Sequence, residues 1–374
     1  MIRNSKLLVL DSAQLGAWAK EFDRGSLSIE KLEELALVHG WVIVLLWHHI
    51  EELLRHKNSA LVDSRIRFIR SIPFVFWISV PDTAKGIGSV ADLLRHELRS
   101  AKSGSGQSIL KRAQETRSRL FRFGTGKEIP LPFGTDLDLL RLALLESEAR
   151  SRETSSISQL ETLEVPQVTL AQIARMQHQG PAAARKKFEE LHSEIDGELS
   201  ERGDERINDT NAATSAFLRE VYESWPIARE GDDPLDSMLS SLNLTLADVD
   251  TSWTIAELSE HATFIHQIRS VVDSPDLAAD KMHDLDIEQV PSSLIQRSFR
   301  RHRPRATRAK GSDLNDMYIL SFAPYVDRIY IDKRTHDILQ RAIKHEPVIG
   351  NLTGSVCKSA DPLKILGELC GRSH

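Results

Sequence analysis

The chain has 374 residues, 41% of them apolar and 27% charged, and a formal net charge of −6. That is the balance of an ordinary globular protein with room for roughly two or three domains. It argues against a chain that coats nucleic acid with its whole surface, but leaves room for a local basic groove. The only cysteines are Cys357 and Cys370, too few for a disulfide framework, so a cytoplasmic location is expected. The start, MIRNSKLLVLD, carries too short an apolar stretch for a signal peptide. The longest apolar run, Trp41 to Trp47, falls well short of the ~20 residues that span a bilayer, so no membrane segment is expected.

Along the first eighty or so residues, strand and helix signals alternate. Leu7 to Asp11 is a short apolar run closed by an acid. Ser28 to Gly40 has the marks of a capped helix: Ser28 suits the N-cap, Ile29, Leu32, Leu35 and Ala36 share a face, and Gly40 ends it. Val42 to Leu46 is a second buried strand, His48 to Lys57 a helix, Ser64 to Ile72 another helix, and Phe74 to Ser79 a third strand. Strands separated by helices predict a parallel sheet with crossovers.

From about residue 82 to residue 300 helical patterns dominate and strand patterns almost vanish. Pro181 suits the first turn of one of these helices. There is no sustained heptad and no repeat, so a compact helical module is expected. The α/β alternation then resumes, with a helix at Asp313–Val326, a strand at Arg328–Asp332, a helix at Thr335–His345 and a last strand at Pro347–Gly350. The expected fold is therefore α/β, a parallel sheet flanked by helices and split by a large all-α insertion. Its discontinuous domain covers residues 1–80 and 305–374, and the insertion covers 81–304.

In parallel sheets ligands collect outside the carboxyl ends of the strands. Asp11 and Asp332 close two strands there, Glu52 lies one turn into the helix after the second strand, and Asp316 sits in a first helical turn. Clustered carboxylates repel one another unless a cation lies between them, and hard oxygen ligands favour Mg²⁺ or Mn²⁺. A simpler role is open to some of these acids. Asp313 with Asp316 suits an N-cap and an acidic first turn, and Asp332 suits the cap of the next helix. His48, Glu52 and His56 could share a helix face, but the zinc pattern H-E-x-x-H is absent. Gly124 to Glu128 lacks the upstream glycine and the Ser/Thr of a phosphate loop.

The order VLDSAQL, VIVLLWHHIEELLRH, SDLNDMYILSFA and IYIDKRT resembles the PIN (PilT N-terminal) domain, a metal-dependent nuclease fold, over roughly 1–80 and 305–350. The resemblance implies catalytic and metal-binding roles for Asp11, Glu52, Asp316 and Asp332, with Glu51 and Asp313 as near alternatives. Two positions depart from the family pattern. Ala13 stands where an amide or hydroxyl is common, and Tyr330 stands where Thr or Ser is common. The implied activity is Mg²⁺- or Mn²⁺-dependent hydrolysis of RNA, with a toxin or phage-defence role. The alternative is a catalytically degenerate relative that binds nucleic acid or protein.

The segment from Arg297 to Lys310 holds six Arg, one Lys and no acid, and it leads into the acids of Asp313 and Asp316. A basic strand beside a metal site suits a phosphate backbone, so Arg297, Arg300, Arg301, Arg303, Arg305, Arg308 and Lys310 are expected to bind RNA. The helical insertion is expected to serve a homodimer or a regulatory protein partner.

Overall fold

The computed structural model describes residues 5–81, 83, 86–103, 107–130, 139–146, 169–173, 181–202, 205, 207–224, 234–272, 285–304, 313–359 and 361–371. Six strands form one sheet: β1 (Lys6–Leu10), β2 (Trp41–Leu45), β3 (Val75–Ile78), β4 (Phe121–Gly124), β5 (Arg328–Ile331) and β6 (Ser355–Lys358), in the order β4-β3-β2-β1-β5-β6. All neighbours are parallel except β3 and β4. The chain builds outward from β1 to β2 and β3, then returns to the other side of β1 with β5 and β6. The direction of winding therefore reverses between β1 and β5.

Alternation within β1 shows why the sheet is covered on both sides. Leu8 and Leu10 enter one core, while Leu7 and Val9 enter the other. The first face carries α1 (Ser12–Asp23), α2 (Ile29–Leu37), α3 (Trp47–Leu54) and α4 (Ser59–Ser71), through Leu15, Trp18, Leu32, Ile50 and Phe68. Burial on both faces is what made the inner strands read as unbroken apolar runs.

The middle of the chain is less separate from the sheet than its composition implied. Helices α5 (Val90–Ser103) and α6 (Ile109–Leu120) bring Leu93, Ala113 and Leu120 onto the second face. The helix begun at Ile109 ends at Leu120, and Phe121–Gly124 pairs with β3 as an edge strand. Beyond it come α7 (Leu170–Ile173), α8 (Pro181–Arg202), α9 (Thr210–Ser224), α10 (Pro234–Ser241) and α11 (Ile255–Val271). Leu98 of α5 shares a core with Leu170, Leu239, Phe264 and Ile268, while α8 and α9 bury Ile195, Leu199 and Leu218 in a smaller one. Among the described residues no helix is long and apolar enough to cross a membrane.

The chain rejoins the second face through α12 (Pro291–Arg301), α13 (Asp313–Leu320), α14 (Lys333–His345) and α15 (Pro347–Leu352); α16 (Pro362–Leu369) closes the first face. The strand expected at Pro347–Gly350 is therefore a helix. Proline at its first position cannot donate to a ladder and is already set for a helical turn. The last strand lies further on, at Ser355–Lys358, half-exposed and without an apolar run to mark it.

Glu97 joins the helical middle to the sheet. It is fully buried on α5, accepts hydrogen bonds from the Ser292 N–H (2.7 Å) and the Ser292 hydroxyl at the start of α12, and also accepts one from the Tyr325 hydroxyl. Burial outweighs these three bonds and pushes its carboxyl up to about 7. The unfolded chain releases this proton near the ordinary value of 4.5, so between 4.5 and about 7 the folded state holds a proton the unfolded state has lost. Stability attributable to Glu97 therefore falls as pH rises through that window, by a few kcal/mol at most. Glu97→Gln is expected to flatten this part of the profile, measured as urea-unfolding free energy of variant and wild type across pH. Parallel profiles would show that Glu97 does not titrate there.

Candidate active site at the β1–β5 crevice

Asp11 follows the last residue of β1 and is 6% exposed. Its backbone N–H donates to the Tyr330 carbonyl of β5 (3.0 Å), which sets its height beside that strand. Its carboxylate accepts from the Gln14 N–H (2.8 Å), and the Gln14 side chain accepts from the Asp11 N–H (3.1 Å), closing a reciprocal cap on α1. Gln14 also donates to the Ser359 carbonyl beyond β6 (2.9 Å), so the cap is tied to the far side of the sheet.

Asp332 follows β5 and caps α14. One carboxylate oxygen accepts from the N–H groups of Arg334 (2.6 Å) and Thr335 (3.1 Å), and the other accepts from the Thr335 hydroxyl (2.7 Å). Both acids are thus held in one orientation by helix starts whose positive dipole ends favour negative charge. Their helices leave on opposite faces, α1 against the first core and α14 against the second. The space between is the switch point of the winding, where open α/β sheets bind ligands.

Glu52, half-buried on α3, completes a group of three. Asp11's carboxyl is pushed up to about 6, first by burial and then by the charges of Asp332 and Glu52, against the bonds from Gln14 and Ala13 that favour its ionised form. The structure thus brings together Asp11, Glu52 and Asp332. Asp316 is half-buried on α13, which packs against α3, β5 and α14 around the same crevice. The side chain of Asp313 lies outside the described residues. Glu51 is committed elsewhere, paired with Arg55 (2.6 Å) and facing His48 (3.4 Å), and its carboxyl is lowered by that histidine and Arg55 in spite of burial.

Hard carboxylate oxygens carrying mutual repulsion are the donor chemistry of a divalent-cation site. Among the described residues, no three Asp, Glu, His or Cys side chains already stand together as a metal-holding set. The trio is an open electrostatic cluster. Mg²⁺ generally keeps several waters and takes one or two carboxylates, so it does not require a closed protein cage. The histidines of α3 form no such set. His48 is buried and stacked on Tyr318 (4.9 Å between ring centres), and His56 lies past the helix end with Nδ1 accepting from the Asn58 N–H.

Of the two departures from the family pattern, Tyr330 has a structural role. Its ring is buried in the first core and its hydroxyl donates to Glu368 of α16 (2.7 Å). Ala13 is exposed in the first turn of α1.

The expected basic strand is in part a buried helix. Arg297 on α12 is 8% exposed and paired with Glu288 (3.2 Å) and, at 4.0 Å, Glu346. Arg301 grips Glu260 of α11 through Nε (2.8 Å) and Nη2 (2.5 Å). Arg300 is largely desolvated, which lowers its guanidinium's pKa, with Glu260 and Tyr318 acting on it in the opposite direction. These arginines tie helices together, and Arg297 and Arg301 are engaged by acids. Arg303 is half-buried after the helix end, and Arg305, Arg308 and Lys310 lie outside the described residues.

A cation that the sequence reading passed over, Arg65 of α4, stands beside the trio. Its guanidinium feels the charge of Glu52, and its own pKa is lowered by partial burial. No signal in the sequence separates it from Arg67 and Arg70 on the same helix. Comparison with known proteins adds nothing to this geometry: no family model, curated protein or solved structure matches the chain.

The raised Asp11 carboxyl has a consequence for stability. Between its ordinary value of 3.8 and about 6, the folded state holds a proton that the unfolded chain has released. Stability is therefore lost as pH rises through that window, and the full penalty applies above it. Asp11→Asn keeps a good N-cap acceptor but carries no charge. In mildly alkaline, metal-free buffer it should be more stable than wild type by ~2 kcal/mol, the gain vanishing below the ordinary carboxylate range. Urea unfolding at several pH values measures this; an equal or less stable variant above neutrality would show that Asp11 is not strained by its neighbours.

Proposed function

We propose that the protein is a metal-dependent phosphodiester hydrolase of the PIN-like kind, acting on RNA. The observation that carries this reading is the convergence of Asp11, Glu52 and Asp332 at the switch crevice, where burial and like charge disfavour the ionised Asp11. A divalent cation would relieve that repulsion. The preference for RNA rests on the resemblance of the sequence to the PIN domain.

Asp11, Glu52 and Asp332 would hold Mg²⁺ or Mn²⁺, with Asp316 as a further ligand by resemblance. Bound there, such an ion would supply Lewis-acid polarisation of a phosphodiester and activation of water. The chain's own contribution is orientation. The Gln14 cap fixes Asp11, and three donors from Arg334 and Thr335 fix Asp332, so neither carboxylate needs reordering to receive a cation. Glu52 is half-exposed. Asp11 must be ionised to bind a cation, so its proton, held to about pH 6, competes with metal in acid.

The alternative is a PIN-like domain that retains RNA without cutting it. The engagement of Asp11 and Asp332 as helix caps favours that reading, since capping needs no metal.

The test is cleavage of a labelled generic RNA by the full chain with Mn²⁺ or Mg²⁺. Cleavage is expected to stop with EDTA, to fall at least a hundredfold in Asp11→Asn and Glu52→Gln at saturating metal, and to decline as pH drops below about 6. RNA bound but uncut under every metal condition would favour the degenerate alternative. Cutting by Asp11→Asn at the wild-type rate would remove the trio from the mechanism.

A further inference from the structure

We propose that Arg65 is a phosphate-binding fork for the strand entering the acid trio, and that Gly16 is the seat that holds it there. The inference rests on the nuclease reading and assigns its substrate contact.

Arg65 is half-buried on α4, and among the described residues its guanidinium has no hydrogen-bond or ion-pair partner. Other arginines of this chain close on acids: Arg55 on Glu51 at 2.6 Å, Arg117 on Asp327 at 2.7 Å and Arg301 on Glu260 at 2.5 Å. Glu52 lies near enough for its charge to act on Arg65, yet the two form no salt bridge. A guanidinium placed only to neutralise Glu52 would close on it, as Arg55 does on Glu51.

The seat is specific. A β-carbon built on Gly16 of α1 would stand 3.1 Å from Arg65 Nη2 and 3.3 Å from Cζ and Nε. These nearly equal distances lay the guanidinium across the bare helix backbone, a position that any larger residue would contest. One side of the plane is covered by α1, and the donors around its rim remain for a ligand.

Glu52 is near enough for its charge to act on both Asp11 and Arg65. Gly16 is five residues beyond Asp11 along α1, about 7.5 Å at 1.5 Å per residue. Three acids alone would repel a polyanion. A cation with unused donors beside Glu52 offsets that repulsion and supplies the planar, two-pronged geometry that phosphate oxygens accept. A half-desolvated guanidinium without a bonded partner is also a cost that a bound phosphate removes.

The experiment uses the full chain and two probes, Mn²⁺ alone by calorimetry and a fluorescein-labelled oligouridylate by anisotropy across a salt series, with Ca²⁺ present. Arg65→Gln is expected to bind Mn²⁺ as tightly as wild type or tighter. It should bind oligouridylate about tenfold more weakly, with the log–log salt slope smaller in magnitude by about 0.7. Arg65→Lys should restore the slope without the full affinity, because it keeps the charge and loses the fork. Gly16→Ala should melt no lower than wild type, since alanine favours a helix, and should still weaken oligouridylate binding by displacing the guanidinium. If wild type binds Mn²⁺ and cuts RNA while Arg65→Gln shows unaltered oligouridylate affinity and slope, or loses Mn²⁺ equally, the Arg65 assignment is overturned and the nuclease reading stands. If wild type binds neither probe, both are overturned.

Discussion

The hydrogen-bonded pairing of β1 with β5 is the constraint on which the site depends. It aligns Leu8, Val9 and Leu10 with Arg328, Ile329 and Tyr330, joining strands more than three hundred residues apart. This register sets Asp11 against the Tyr330 carbonyl and leaves Asp332 just beyond its strand's end. A slip of one residue would turn Leu8 and Leu10 out of their core and Leu7 and Val9 out of theirs. Apolar packing on both sides of the sheet therefore also fixes the height of two acids. Closing so long a loop costs little more entropy than closing one half its length, so a large helical segment between the strands is tolerated.

Two requirements meet at the crevice. Each of α1 and α14 needs an acceptor at its start, and Asp11 and Asp332 supply one. The helix ends favour those carboxylates individually. Because the helices start from adjacent strands, the same caps bring like charges together, and Glu52 adds a third. Helix starts of this kind gather negative charge without any closed metal cage, which is why capping and cation binding are compatible roles for the same side chains. The favourable dipole is local and the repulsion is shared, so Asp11, the most buried, shows the net penalty.

The arginines show why charge composition is a weak guide to binding. The run from Arg297 to Lys310 stands out by its lack of acids in sequence, yet Glu288, Glu346 and Glu260 reach it from other elements. Arg65 lies in an unremarkable helix and has no bonded partner among the described residues, although Glu52 acts on it and its guanidinium lies over Gly16. The partner of a charge is a tertiary property, since it is set by side chains remote in sequence.

The sequence by itself determined the α/β class, the four inner strands β1, β2, β3 and β5, the Ser28 cap, and the three acids Asp11, Glu52 and Asp332 at strand ends or in the helix after one. Apolar runs, cap residues and turn signals are local, and they survive in any register. The tertiary structure alone decided that Phe121–Gly124 pairs with β3, that Pro347 starts a helix, that Arg297 and Arg301 are spent on ion pairs, and that Arg65 rests on Gly16 beside the acids. Short half-exposed strands carry too little apolar signal to be read locally. The charge a carboxylate or guanidinium feels depends on distance through space, which only the packed chain defines.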